Sequence, residues 1–229
     1  MKGVREKARI AKGKQFSQSL QNALGAYAVG RWNFGKGSGT VAVDTSGYGN
    51  NGTISGATWV EDDFSNDGWV LEFDGVNNDY VDFKDTEKLP LFTLSAWVYD
   101  EQGGDSRHSI IRYFWEIVGT RICFWSYDFA NDYWRCSSDN AVPYKTWTYV
   151  ATTWDGSIIS HHINGELNWR DTTSSSGTSQ SFISIAGYSS RKFKGKVDDV
   201  RIYSKALSLS QIQKIYAEEF TKYHLAEKQ

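Results

Sequence analysis

Proline and cysteine are scarce in this chain, with two of each among 229 residues, and histidine occurs only four times. Cys123 and Cys136 lack C-x-x-C spacing, so neither a zinc site nor a thiol-exchange motif is present. His161 and His162 are neighbours. On a strand they would point to opposite faces and could not ligate one metal, so they read as surface residues. No apolar run approaches the roughly 18 residues that mark a membrane-spanning helix, and no basic start followed by an apolar segment marks a signal peptide. Charge of one sign is missing too. The 25 Lys and Arg against 27 Asp and Glu leave a net −2, which gives no reason to expect nucleic acid or an anionic surface as partner.

Aromatic residues and glycine are abundant. Ten Trp, thirteen Tyr, twelve Phe and 21 Gly in a chain that is 40% hydrophobic favour many short strands joined by glycine-containing turns. The length suits one large β domain with an appendage. Lys2, Arg5, Lys7, Arg9, Lys12 and Lys14 crowd the start against a single acid, Glu6, and read as a solvated helix end. Residues 3–26 carry Ile10, Phe16, Leu20 and Leu24 at helical spacing without proline, so an N-terminal amphipathic helix is expected over 1–26 and the main domain over 27–229.

Near the other end, Phe193-Lys-Gly-Lys-Val-Asp-Asp-Val-Arg-Ile-Tyr203 begins with strand alternation. Val197, Val200 and Ile202 cannot share one face at period two, which predicts a β-bulge at Asp198-Asp199 and a carboxylate re-aimed within a closing strand. A buried strand carries such a carboxylate only if it is paired or holds a metal. A second informative stretch is Asp44-Thr-Ser-Gly-Tyr-Gly-Asn-Asn-Gly-Thr53, where Gly47, Gly49 and Gly52 permit tight folding and Asp44, Ser46, Asn50 and Asn51 supply hard oxygens suited to calcium.

These stretches, with Phe73-Asp-Gly…Tyr80-Val, Ser95-Ala-Trp-Val98 and the segment from Thr146 to Leu167, resemble laminin-G-like, concanavalin A-type domains over about residues 30–216. The resemblance implies an all-β jelly-roll β-sandwich, here with an N-terminal α-helix and a short C-terminal helix from Ser208 to Leu225. It also implies one structural calcium where the loop meets the closing strand. Carried over, Asp44 and Asp198 give carboxylates, with oxygens near Gly49 and Asn51. The alternative is an Asx-turn loop closed by its own backbone, with Asp198 salt-bridged. Separately, Arg5 to Tyr27 resembles the part of type IV pilin-like helices just beyond their membrane segment, which implies pilin-like subunits as partners.

Arg121 to Cys136 reads as a hairpin. If it turns at Phe129-Ala130, Cys123 faces Cys136 and a cross-strand disulfide is feasible, which implies an extracytoplasmic setting; two buried thiols are the alternative. Asp155-Gly156 and Asn164-Gly165 both signal type I′ turns.

Glycoside hydrolysis needs two carboxylates facing each other across a cleft. Glu72-Phe-Asp74 has no third acid to complete the Glu-x-Asp-x-x-Glu signature of the family's glucanases, and Glu116 stands alone, so no enzyme is expected. Sugar binding needs exposed aromatics beside amides and carboxylates. Trp125, Tyr127, Asp128, Asn131 and Tyr133 supply these within one hairpin. The expected protein is an extracellular or cell-surface glycan-binding or adhesion domain on a pilin-like helix, its partner a glycan or glycosylated surface. A structural filament subunit with a non-binding decoration is the rival.

Overall fold

The computed structural model describes residues 24–62, 64–65, 68–83, 88–104, 107–112, 114–126, 133–172, 184–187 and 191–225; the side chains of 126, 133, 219 and 221–225 fall outside the description. The expected N-terminal helix therefore lies outside the described residues except at its last positions.

Sixteen strands and one helix form among the described residues. In chain order they are β1 (Ala28–Trp32), β2 (Val41–Ala42), β3 (Gly52–Ser55), β4 (Thr58–Glu61), β5 (Trp69–Asp74) and β6 (Tyr80–Phe83). Next come β7 (Phe92–Asp100), β8 (Arg107–Ile111), β9 (Trp115–Val118), β10 (Arg121–Ser126) and β11 (Tyr133–Cys136). The chain ends with β12 (Thr148–Trp154), β13 (Ile158–Ile163), β14 (Glu166–Thr172), β15 (Ser184–Ala186), β16 (Lys194–Tyr203) and α1 (Leu209–Leu225).

Two sheets pack face to face, as the jelly-roll resemblance implies. The first runs β14-β13-β12-β7-β16-β5-β4, with β1 paired to β16; the second runs β11-β10-β9-β8-β15-β6-β3-β2. Every pairing is antiparallel except β15 with β8. Trp32, Phe73, Phe92, Leu94, Trp115 and Phe124 fill the space between. The β7 strand is buried on both faces, because α1 lays Ile212 and Ile215 against Trp97 and Tyr149 on the outer side. Full burial of each isoleucine contributes about 2 kcal/mol. A reciprocal cap starts this helix: Ser208 N–H donates to Gln211 Oε1 at 2.9 Å while Gln211 N–H reaches Ser208 Oγ at 3.4 Å.

The closing strand behaves as its apolar pattern requires. The β16–β7 register jumps between Asp198 and Arg201, Asp199 takes φ 44°, and Val197, Val200 and Ile202 all reach the core. Gly195 is equally constrained. A Cβ there would meet the Tyr99 carbonyl oxygen at 2.1 Å, so only glycine lets β16 lie this close to β7.

Four expectations are corrected. Gly52 and Thr53, read as the end of the Asp44–Thr53 loop, open strand β3 between β2 and β6. Ser109 to Val118, which reads along the sequence as one strand, falls in the β8–β9 hairpin. Asn164 and Gly165 both take positive φ, as a type I′ turn demands, but in the other hairpin only Gly156 does, and Asp155 N–H bonds the Ile158 carbonyl. That loop is Gly156-Ser157, with the glycine first, as type II′ requires.

The fourth correction concerns the histidines. His161 is fully buried and His162 nearly so. His161 lies in a polar chain that crosses the core. Trp115 Nε1–H donates to Thr152 Oγ1 at 2.7 Å, Thr152 hydroxyl donates to His161 Nδ1 at 2.8 Å, and His161 Nε2–H donates to the Arg135 carbonyl at 2.9 Å. Because the indole only donates and the carbonyl only accepts, this direction leaves every donor satisfied and sets a neutral Nε2–H tautomer. Burial pushes the His161 pKa down to about 4. The chain stitches β9 and β11 of one sheet to β12 and β13 of the other.

Candidate functional site

The outer face of the first sheet is covered by α1, and the outer face of the second is not covered by any described apolar cluster. Strand alternation decides what it displays. Ile122, Phe124, Trp115 and Ile117 enter the core, which turns Cys123, Trp125 and Glu116 outward. Cys123 pairs directly with Cys136 and Trp125 with Trp134, and the Cys123–Cys136 disulfide forms as its register allowed. Extending across the sheet, Cys123 sits opposite Glu116, and Glu116 opposite Ser109.

On this face the Trp125 and Trp134 rings stack with centroids 6.3 Å apart and planes inclined by 28°. Arg107 lies 5.0 Å and Arg191 5.5 Å from the Trp134 ring centre, a contact between cation and aromatic face. Arg191 Nη1 also donates to Glu116 Oε1 at 2.9 Å, and the Ser109 hydroxyl donates to the same oxygen at 3.1 Å. Glu116 is fully buried, yet its Oε2 has no hydrogen-bond partner. The Arg191 backbone is pinned because its carbonyl accepts from Ser109 N–H at 3.0 Å. Two half-exposed indoles, two guanidinium groups, a hydroxyl and a buried carboxylate thus share one surface.

Of the residues expected to hold a glycan, Trp125 is in this group. Tyr127, Asp128 and Asn131 lie outside the described residues, and Tyr133 is described only as a backbone pair of Ser126 in β11. Sequence reasoning did not place Trp134, Arg107 or Arg191 in this group, and took Glu116 only as an isolated acid. The hairpin register that placed Cys123 opposite Cys136 already paired Trp125 with Trp134, so that partner was readable; the two arginines arrive from distant segments and were not.

The Asp44 loop shows different chemistry from the one expected. Asp44 Oδ1 accepts from Arg31 N–H at 2.9 Å and Ser46 N–H at 2.8 Å; Oδ2 accepts from the Ser46 hydroxyl at 2.8 Å and Asn50 N–H at 2.9 Å. Four donors occupy the four lone-pair positions of the carboxylate. Burial raises the Asp44 pKa, but these donors outweigh it and hold the carboxyl below its ordinary value. Asn51 Oδ1 is occupied by Asp44 N–H at 2.8 Å, Asp198 Oδ1 accepts from Asp199 N–H at 2.7 Å, and Gly49 serves the turn with φ 78°. Among the described residues no three acidic, His or Cys groups converge as a metal site. In this arrangement both Asp44 oxygens, Asn51 Oδ1 and Asp198 Oδ1 face N–H and O–H donors, which is the loop closed by its own backbone that was the alternative to calcium.

The link between loop and closing strand runs through arginine. Arg31, whose N–H holds Asp44, places Nε 3.2 Å from Asp199 Oδ1, and buried Arg201 places Nη2 2.6 Å from Asp199 Oδ2. The bulge therefore aims Asp199 at two guanidinium groups. A small pocket of about 100 Å³ opens beside them, lined by Leu24, Ser46, Tyr203 and Glu218 as well as both arginines. It lies on the opposite side of the sandwich from the tryptophan pair and is too small for an oligosaccharide.

The family model described as the concanavalin A-like lectin/glucanases superfamily matches residues 73–213, more than half of the chain. This chain belongs to that superfamily. A search of curated proteins finds no match. Among solved structures, the binding domain of Paraclostridial Mosquitocidal Protein 1 superposes with a TM-score of 0.70 at 15% identity, covering 84% of this chain and 52% of that one. Domain 4 of AbnA, an extracellular arabinanase of Geobacillus stearothermophilus solved with arabinotriose, gives 0.64 at 18% identity, covering 83% and 98%. The ligand-binding domain of botulinum neurotoxin serotype D, solved with N-acetylneuraminic acid, gives 0.62 at 16% identity, covering 86% and 52%. The chain spans about half the length of the toxin domains. At these identities the likeness establishes a shared lectin/glucanase fold.

Proposed function

We propose that this superfamily member is an extracellular glycan-binding domain that engages sugar on the outer face of its second sheet. The observation that carries the reading is the Trp125–Trp134 pair, two stacked and partly exposed indoles beside polar groups on the outer face of that sheet. Indole faces bind the apolar side of a sugar ring, and neighbouring hydroxyl and carboxylate groups select its orientation. The AbnA domain, of similar size and fold, was solved with arabinotriose and supports a sugar as ligand class. The disulfide supports an oxidising setting. Residues 1–26, pilin-like in sequence, serve in this reading as the stalk that displays the domain and joins it to pilin-like subunits.

Binding without cleavage is part of the proposal. Asp82 and Glu116 are the acids turned outward from β6 and β9, with β15 and β8 between them. Three inter-strand spacings separate them by about 14 Å, beyond the roughly 5–10 Å that glycosidase carboxylate pairs span. A glycan array probed with the wild-type chain, then with Trp134→Ala, tests the reading. Hits that vanish in the variant are expected; an array without hits, or hits that persist unchanged, would refute it.

A further inference from the structure

Deepening this reading of the same face, we infer that Glu116 is the hydrogen-bond acceptor of the site and that the ligand is a neutral sugar offering hydroxyl donors to it. A fully buried carboxylate oxygen without a donor is costly, and Glu116 Oε2 is in that state while Oε1 takes both donors available to it. An acceptor-only group in that position is completed by a donor, and a sugar hydroxyl is the donor that a ring stacked on Trp134 would bring. An acidic sugar would be repelled by it.

Reach is adequate. Glu116 faces Cys123 on the adjacent strand, and Trp125 lies two residues further on the same face, so about 8 Å separates the carboxylate from the platform along the sheet. That is within the span of a short oligosaccharide. The Arg191 side chain caps Glu116 Oε1 by donating to it at 2.9 Å, with its guanidinium 5.5 Å from the Trp134 ring centre. Its backbone is anchored at Ser109 while its side chain is partly exposed, so a rotamer change of Arg191 would free Oε1 without moving the sheet.

The test uses the full chain against neutral oligosaccharides, arabinotriose among them, and their sialylated counterparts. Glu116→Gln is expected to weaken neutral-glycan binding at least tenfold, whereas Arg191→Met, which removes the cover, preserves or tightens it. Equal losses in both variants would mean that Glu116 is only the counter-ion of Arg191, and would overturn the inference. So would undiminished binding by Glu116→Gln, or wild-type binding confined to sialylated probes. The wild-type protein gives a reading that needs no variant: the Glu116 carboxylate carbon resonance shifts as neutral glycan is added, and a resonance that stays put during binding overturns the assignment. If Trp134→Ala loses binding and Glu116→Gln does not, the glycan reading survives without this inference; if the wild-type chain binds nothing, both fall.

Discussion

Acid should unfold this protein through His161 in a way one substitution can isolate. An unfolded histidine titrates near 6.5, and the buried His161 near 4. Between those values the folded state binds fewer protons than the unfolded one. The stabilisation is therefore fully present above about pH 6.5 and is lost as pH falls toward 4. Integrating the linkage for this one group gives a loss of about 2 kcal/mol between pH 7 and pH 5. Protonation also breaks the geometry: a charged imidazole turns Nδ1 into a donor facing a Thr152 hydroxyl whose proton already points at it. His162 and His108 are lowered by burial as well and add slope of the same sign, so wild type alone does not isolate His161. The comparison is with His161→Gln, whose amide keeps one donor and one acceptor but does not titrate. Urea unfolding followed by tryptophan fluorescence at pH 7 and pH 5 should show wild type losing about 2 kcal/mol more than the variant across the interval. Equal losses would show that His161 is not the buried, neutral link between the sheets.

The same structure makes three further claims. Asp199→Asn keeps the shape and tolerates the positive φ of the bulge but removes the buried charge that Arg201 and Arg31 face, so stability should fall by about 3 kcal/mol in denaturant unfolding; a change below about 0.5 kcal/mol would contradict the pairing. Reducing the Cys123–Cys136 bond, which closes a separation of 13 residues, should cost about 3 kcal/mol in the chain-entropy account, read as a drop in melting temperature with reductant; an unchanged melt would show that β11 is held without it. Because donors fill the Asp44 carboxylate, EGTA should leave the melting temperature unchanged, while Asp44→Ala should lower stability by about 2 kcal/mol with or without calcium; a melting temperature that rises with added calcium would restore the metal.

What the sequence determined by itself was local and periodic. The misfit of Val197, Val200 and Ile202 to a two-residue period placed the bulge, because three apolar residues cannot reach one core without an extra residue between them. The Asn164-Gly165 turn followed from its residue types, and the Cys123–Cys136 pairing from the hairpin register. Which partner each polar group takes was decided only by the tertiary structure. The oxygen-rich Asp44 loop looked like a cation site, yet Arg31 N–H and the loop's own donors fill the Asp44 carboxylate, and Asp199 meets the arginines. The histidines looked exposed because nothing local announces that Trp115, Thr152 and the Arg135 carbonyl, from three other strands, will meet His161. Arg191 reaches Glu116 across 75 residues of sequence. Apolar pattern and turn chemistry act over a few residues and can be read along the chain, whereas charge and hydrogen-bond satisfaction depend on which strands the fold sets side by side.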